Sequence, residues 1–210
     1  MIASVSRLLA MILLAGVAAC SALSQQADTT RYFVLRPEPA PKPAESRFAG
    51  TIGIGPVTIP DHLDDRLVTR LSNEEISISD DERWAEPLRE SLVAVLRQDL
   101  GPLLGTDRIS VYPWRASEAP DLAITLDIVR FERTTRGTVE VAARWTIAPT
   151  TGASPMSVRS ASIRGTFAGT DARAAVAALN AGVAELSRQI AADVVRAPVA
   201  LRGQVRRRPN

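Results

Sequence analysis

The first twenty residues constrain this chain most, because a short apolar run there leads into its single cysteine. Arg7 supplies one positive charge, and the apolar run follows over residues 8–17. That run is shorter than the roughly 20 residues that a membrane-spanning helix needs, and it has the length typical of the apolar region of a secretory signal peptide. Small residues then lead directly to Cys20. The pattern therefore predicts a signal peptide over residues 1–19.

The position of Cys20 predicts a covalent lipid anchor. The segment VAAC at residues 17–20 resembles a bacterial lipobox, at which the leader is cut before the cysteine and the thiol receives a diacylglycerol. The alternative, a buried core cysteine, does not account for its place at the end of an apolar leader. By analogy with Gram-negative lipoproteins, Ser21 in place of an aspartate favours the outer membrane and a domain that faces the periplasm.

The composition excludes several classes of function. Of 210 residues only one is Cys and one is His, which excludes a disulfide framework, a multi-thiolate metal site and a poly-histidine site. The chain has 25 basic and 23 acidic residues, but five of the arginines lie in the leader or in the last nine residues. The remaining 20 basic residues are outnumbered, so nucleic-acid binding has no electrostatic support. We predict no nucleic-acid partner, no metal and no cofactor.

The mature chain divides into a tether, one domain and a tail. Residues 20–30 are small and polar, and they predict a tether between the lipid and the domain. Residues 31–197 have the length and the apolar content of one domain, although four prolines within residues 37–43 predict an extended, linker-like stretch near its start. Arginines are prominent in residues 198–210, where we predict a disordered tail.

Alternating apolar and polar residues predict a sheet of short and long strands. Pro56 makes the second short strand an edge strand or a bulged one. Three long strands joined by turns are expected to form an antiparallel meander, whose polar, solvated face carries cross-strand charge pairs. The expected short strands are 31–35, 51–59, 66–71 and 75–79, and the expected long strands are 122–134, 138–147 and 156–167.

Two helices complete the predicted fold. The acidic pair at residues 80–81 suits the positive end of a helix dipole, and it predicts a helix that runs to about Leu104. A second amphipathic helix is expected from a cap at Thr170 or Asp171 to about Arg196. We therefore predict a single α+β domain with a mostly antiparallel sheet and two amphipathic helices packed on one of its faces.

His62 is the one side chain that invites a catalytic interpretation. It stands among acids in the segment PDHLDD at residues 60–65, which has the elements of a general base or of a metal site. The rest of the chain lacks the missing partners at a motif spacing, and it has no G-x-S-x-G nucleophile motif. We predict that the protein is not an enzyme and has no catalytic residues, with an enzyme that uses His62 as the less favoured alternative.

Seven blocks of sequence carry more information than composition does. They are IGIGPVTIPDHLD at 52–64, VTR at 68–70, RWAEPL at 83–88, LLG at 103–105, VYPW at 111–114, RFE at 130–132 and ARW at 143–145. In order and spacing these blocks resemble the PqiC family of ABC-type transport auxiliary lipoproteins. The likeness spans residues 31–195, which is nearly the whole mature chain.

The resemblance implies a role in transport rather than a chemistry. Proteins of this family are outer-membrane lipoproteins that work with a PqiB-like tunnel protein built of MCE domains, and with a PqiA-like inner-membrane protein or ABC transporter components. Together these systems move lipids between the two membranes. The resemblance implies the same kind of partners here and leaves open whether the chain forms a homo-oligomer. The alternative is a structural envelope lipoprotein without a transport partner.

Exposed loop residues of the domain are the expected contact with the tunnel protein. We predict that this docking surface includes Pro60, Asp61, Leu63, Asp64 and Trp84. For the tryptophans at positions 84, 114 and 145 the alternative is core packing, which we expect for at least two of the three.

Overall fold

Eight strands and two helices follow one another along the part of the chain that the structure describes. This structure is a computed structural model, and it describes residues 28–38, 48–150, 158–169 and 171–196. The strands are β1 Arg31–Phe33, β2 Ile52–Thr58, β3 Arg66–Arg70, β4 Ile76–Trp84, β5 Ile109–Val111, β6 Leu122–Thr134, β7 Thr138–Pro149 and β8 Arg159–Thr166. The helices are α1 Leu88–Leu104 and α2 Ala172–Arg196. They pack against one curled, mixed sheet, which confirms the predicted single α+β domain.

Strand β6 holds the sheet together because it pairs along both of its edges. One edge pairs antiparallel with β7, and β7 pairs antiparallel with β8, so the predicted meander is confirmed. The other edge of β6 is shared by β2 and β3, which both run parallel to it. Strand β4 pairs antiparallel with β3, whereas β1 and β5 add short parallel pairings to β4 and β2. The long ladders of the sheet are thus antiparallel, and its short joins are mostly parallel.

The helix predicted from residue 80 begins later, at Leu88. Asp80 and Asp81 lie instead in β4, a strand with β3 on one side and β1 on the other. A favourable charge at an exposed helix start contributes at most about 1 kcal/mol, which is less than the backbone hydrogen bonds of a paired strand provide together. Pro87, which has no N–H to satisfy, then occupies the position just before α1.

Pro56 lies at a bulge in β2, in the half of the strand that β5 does not cover. The strand lies between β5 and β6, and its register with β6 shifts between Ile54 and Val57. Strand β5 pairs with β2 only as far as Ile54. Pro56, which cannot donate a backbone hydrogen bond, therefore stands beyond the end of β5, where its missing N–H breaks no ladder with that strand. The second half of β2 is left open on this side, next to α1.

The second helix starts and packs as its sequence predicts. An oxygen of Asp171 accepts a hydrogen bond from the Arg173 backbone N–H at 3.2 Å, which confirms the predicted cap at Asp171. Gly182 lets the helix approach the sheet, because a Cβ atom at this position would lie only 2.8 Å from a methyl group of Val141. A residue with poor helix propensity thus occurs at a point where α2 packs tightly against β7.

A buried polar pair lies where the two helices touch. Asp99 of α1 is 6% exposed and Ser187 of α2 is fully buried. The Ser187 hydroxyl lies 2.9 Å from a carboxylate oxygen of Asp99 and 3.0 Å from the Val183 carbonyl oxygen, so these two acceptors share its single hydrogen. Burial raises the pKa of the Asp99 carboxyl, and the Ser187 hydrogen bond offsets part of this effect.

This raised pKa predicts a pH-dependent effect of the substitution Asp99→Asn. Because the folded-state pKa lies above the unfolded value, Asp99 contributes stability below the ordinary carboxyl pKa of about 3.9, and that contribution is lost as the pH rises through the folded pKa. Asparagine keeps an acceptor for Ser187 without the charge. We expect Asp99→Asn to be more stable relative to wild type at about pH 7 than at about pH 4, which means a larger difference in the free energy of unfolding in favour of the variant in urea titrations. An equal difference at both pH values would contradict the shift.

Candidate functional site: a groove between helix and sheet

An apolar groove of about 690 Å³ lies between α1 and the second half of β2. Strand β2 contributes Pro56, Val57 and Ile59, which follows its last residue, while α1 contributes Val93 and the segment after β5 contributes Tyr112. The volume falls within the range of roughly 300–1,000 Å³ that is typical of small-molecule sites. We call this feature the α1–β2 groove.

Charged side chains of α1 line the same groove. They are Arg89, Glu90 and Arg97, of which Glu90 and Arg97 are exposed and Arg89 is half-buried. Neither arginine forms an ion pair with any residue in the described ranges. At a rise of about 1.5 Å per residue, the two arginines stand roughly 12 Å apart along the helix. The groove therefore combines an apolar lining with a net positive charge.

The aromatic corner after β5 borders the groove. Tyr112 is 51% exposed, and its ring meets that of Trp114 edge to face, with the ring centroids 5.2 Å apart. Trp114 in turn covers Gly53 of β2, where an added Cβ atom would lie 2.8 Å from the indole. A side chain at Gly53 would thus displace the corner that places Tyr112 beside the groove.

The predicted docking loop continues directly from the groove. Ile59 lines the groove, Pro60 follows it, and residues 61–63 form a short 3-10 turn. The Asp64 carbonyl accepts a hydrogen bond from the Leu88 N–H at 2.7 Å, so the loop is tied to the first residue of α1. The loop and the groove are therefore held by the same helix.

Three of the five predicted docking residues reach the surface of this loop. Asp61 is exposed, whereas Pro60 and Asp64 are half-buried. One oxygen of the Asp64 carboxylate is buried without a hydrogen-bond partner among the described residues. A buried polar atom without a partner costs about 1–3 kcal/mol, so Asp64 affects the stability of the loop as well as its surface.

The expectation that Leu63 and Trp84 belong to an exposed surface is wrong. Leu63 is 1% exposed, and Trp84 is 5% exposed with its ring packed edge-on against Phe131, the centroids being 5.7 Å apart. Trp145 is buried as well, which confirms core packing for at least two of the three tryptophans. Burial of a large apolar side chain in the core stabilises the fold, and this accounts for the buried positions of Leu63 and Trp84.

The segment around His62 does not form a metal-binding cluster. His62 is exposed on the 3-10 turn, and the described residues contain no group of three or more His, Cys, Asp or Glu arranged to hold a metal ion. Within the same residues, no helix has the length and apolar character needed to cross a bilayer. Cys20, the leader, most of the tether and the arginine-rich tail lie outside the described residues, and their roles stay predictions.

No sequence pattern predicted the α1–β2 groove or its two arginines. The buried stripe of α1 runs through Leu88, Leu92, Leu96 and Leu100, as its periodicity predicts. Val93 lies outside that stripe and is still half-buried. An apolar residue beside the stripe was the available signal, and it is weak because single apolar residues are common on helix surfaces.

Comparison with known proteins identifies the family. Residues 33–191 match the family described as "ABC-type transport auxiliary lipoprotein component". The chain belongs to this family. The match includes the α1–β2 groove, the docking loop, α1 and most of α2. The protein is thus an auxiliary lipoprotein of ABC-type transport, as its resemblance to PqiC-type proteins predicts.

Solved structures share the fold of this auxiliary lipoprotein. The crystal structure of an uncharacterized protein matches with a TM-score of 0.65 and 19% identity, over 79% of this chain and 98% of the other. Protein XCC0632 from Xanthomonas campestris, of the DUF330 family, matches with a TM-score of 0.63 and 15% identity, over 76% of this chain and 92% of the other. At these identities the likeness establishes the fold alone. No protein of curated function matches the chain.

Proposed function

We propose that this auxiliary lipoprotein is anchored in the outer membrane through a lipid on Cys20 and docks on the MCE-domain tunnel protein of a PqiABC-like lipid transport system. The observation that carries the proposal is the family match over residues 33–191. The cysteine at the end of an apolar leader supports it independently. In this function the protein is not an enzyme: it connects the outer membrane to a periplasmic tunnel, whose other end meets a PqiA-like protein or ABC transporter components.

The tether gives the anchored domain a limited reach. Residues 20–30 are eleven residues long, and a fully extended chain of that length spans at most roughly 35–40 Å. Strand β1 begins at Arg31, the next residue. The domain would therefore work close to the outer membrane, where the end of a tunnel that crosses the periplasm has to deliver or collect its lipid.

Asp61 is the sharpest probe of the proposed docking loop. Its side chain is exposed and forms no ion pair with a described residue, whereas nearby Asp65 pairs with Arg83 at 3.3 Å. Charge reversal at Asp61 changes the electrostatics of the loop without removing a contact of the fold. Reversal of an interface charge affects association through like-charge repulsion.

We expect Asp61→Arg and Asp64→Arg to reduce co-purification of an MCE-domain protein from detergent-solubilised envelopes by about tenfold or more. The matched control is Asp107→Arg, an exposed charge reversal beyond the opposite end of α1 that should leave co-purification unchanged. Thermal unfolding of each purified variant shows whether the domain stays folded, a check needed above all for Asp64. Undiminished capture by folded Asp61→Arg would contradict docking at this loop, and capture of no MCE protein by wild type would favour a structural lipoprotein without a transport partner.

A further inference from the structure

We propose that the α1–β2 groove binds a lipid acyl chain and that Arg89 and Arg97 hold the lipid's anionic head group. The inference deepens the proposed function, on which it rests for its biological meaning, because it names the class of lipid that this protein would handle. It concerns a site that the docking loop does not include, although the two adjoin.

The lining of the groove suits a hydrocarbon chain. Pro56, Val57, Ile59 and Val93 present aliphatic surface, and Tyr112 adds an exposed aromatic ring. Moving one methylene from water to such a surface is worth a factor of about four in affinity. An acyl chain that places only a few methylenes against the lining would therefore bind in the groove rather than remain in water.

A peptide strand is a poorer occupant of the same space. Addition of a strand requires an open sheet edge with a continuous row of backbone donors and acceptors. Strand β5 already covers β2 as far as Ile54, and Pro56 lacks the N–H that a ladder on the open half would need. An acyl chain needs no hydrogen bonds, so the interruption that disfavours a peptide does not disfavour a lipid.

The charge of the groove favours an anionic head group. Arg89 and Arg97 have no carboxylate partner among the described residues, and Glu90 is the only described acid that lines the groove. A guanidinium group binds phosphate or carboxylate oxygens through two parallel hydrogen bonds, which makes arginine well suited to anionic head groups. The net charge of the lining is thus complementary to an anionic lipid and indifferent to a zwitterionic one.

The groove also lies where a lipid from the tunnel would arrive. Ile59 belongs to the groove and Pro60 to the docking loop, so the two surfaces are continuous along the chain. Arg89 is the second residue of α1, whose first N–H binds the loop at Asp64. A lipid leaving a partner docked at the loop would therefore meet Arg89 before Arg97.

Photolabelling of the full mature lipoprotein tests this inference directly. The protein is placed in phosphatidylcholine vesicles that contain a small fraction of phosphatidylglycerol with a diazirine in one acyl chain, and the labelled peptides are mapped by mass spectrometry. We expect labels within residues 54–59 and 89–97. Ala94→Trp, which fills the groove from an exposed position of α1, should reduce this labelling by about fifteenfold, as the loss of roughly two buried methylenes implies. The double substitution Arg89→Gln/Arg97→Gln should reduce it by a similar factor of about ten.

Matched variants make the result decisive. Ala181→Trp introduces the same side chain at an exposed position of α2, and Arg144→Gln removes an exposed arginine from β7, so neither should change labelling of the groove. The same diazirine chain on phosphatidylcholine should label the groove less than the anionic probe does. Equal labelling by both probes would overturn the anionic head group. Groove labelling that Ala94→Trp leaves unchanged, or labels spread evenly over the domain, would overturn the lipid site.

The experiment contains no partner protein, so its failure is separate from failure of the proposed function. Intact capture of an MCE protein without groove labelling would retain the docking role and reject the lipid site. Groove labelling without capture would retain the lipid site and reject the docking role.

Discussion

Replacement of Cys20 by Ser is expected to remove the protein from the outer membrane. A thioether to diacylglycerol cannot form on a serine hydroxyl, and without it the mature domain has no other predicted anchor. Each methylene buried in a bilayer contributes about 0.8 kcal/mol, so two or three acyl chains hold a protein on its membrane with almost no exchange. We therefore expect essentially all of the outer-membrane signal to disappear in Cys20→Ser, as measured by fractionation of the envelope on a density gradient.

Two substitutions at the next residue complete this experiment. Ser21→Ala changes a neighbour of the lipidated residue without touching the thiol, and it should leave the protein in the outer membrane. Ser21→Asp introduces the residue associated with retention in Gram-negative lipoproteins, so it should shift the lipidated protein to the inner membrane. Intact mass spectrometry of the wild type decides the chemistry, since a mature chain with an unmodified thiol would refute the anchor.

The largest expected loss of stability follows the substitution Arg70→Met. Glu132 of β6 is 2% exposed, and its carboxylate is held by the Nε and Nη2 atoms of Arg70 in β3, the second contact measuring 3.0 Å. The hydrogen bond to Glu132 raises the pKa of the Arg70 guanidinium. Arg70 also donates to the carbonyls of Ser72 and Asn73 at 3.3 and 3.2 Å, which fastens the turn before β4.

Loss of the guanidinium leaves the Glu132 carboxylate buried without its main partner. Removal of one member of a buried ion pair costs about 3–5 kcal/mol, and we expect Arg70→Met to lower the free energy of unfolding by about that amount in urea titrations. The double substitution Arg70→Met/Glu132→Leu should recover most of the loss, because no buried charge then remains. A double variant no more stable than Arg70→Met would contradict this explanation.

Arg66→Met provides the control on the same strand. Arg66 pairs with Asp80 at 3.1 Å, but the Asp80 side chain is 97% exposed. Ion pairs in water contribute about 1 kcal/mol or less, so this variant should stay within about 1 kcal/mol of wild type. A loss as large as that of Arg70→Met would show that the strand, rather than the buried charge, determines the effect.

The ion pair between Arg70 and Glu132 also has a structural consequence for the docking loop. Strands β3 and β6 share only a short parallel pairing near Arg70, and the ion pair reinforces this join. Strand β3 in turn carries β4, whose last residue, Trp84, donates its N–H to the Asp65 carbonyl at 2.9 Å. The position of the loop therefore depends on the join between β3 and β6.

Elements formed by neighbouring residues were predicted well. In β6 the alternation of Leu122, Ile124, Leu126 and Ile128 places one face in the core, and this alternation ends at a β-bulge between Ile128 and Arg130. The cap and the apolar periodicity of α2 are confirmed in the same way. These patterns depend on the residue spacing within one strand or one helix, so they can be recognised in the sequence before the neighbouring elements are known.

Predictions failed where a distant element decides the environment of a residue. The polar face of the meander was expected to be solvated, but Glu132 on that face is only 2% exposed, because Arg70 of β3 lies against its carboxylate. Its cross-strand neighbour Glu140 forms the expected charge pairs, with Arg130 and Arg164 at 3.5 and 3.6 Å. Trp84 was predicted to be part of the docking surface, with core packing as the alternative, and packing against Phe131 buries it. In both cases a residue remote in sequence buries the side chain, and a local sequence pattern cannot predict such a contact.

The sequence alone determined the signal peptide and lipidation prediction, the meander, α2 and the family, since each of these depends on local pattern or on the order of short blocks. Tertiary structure alone decided the α1–β2 groove and the buried pair of Arg70 and Glu132. The groove combines residues of α1, β2 and the segment after β5, whereas the ion pair joins β3 to β6 at a short parallel pairing. Because these contacts join segments far apart in the chain, they leave no periodic signal from which the groove or the pair could have been predicted.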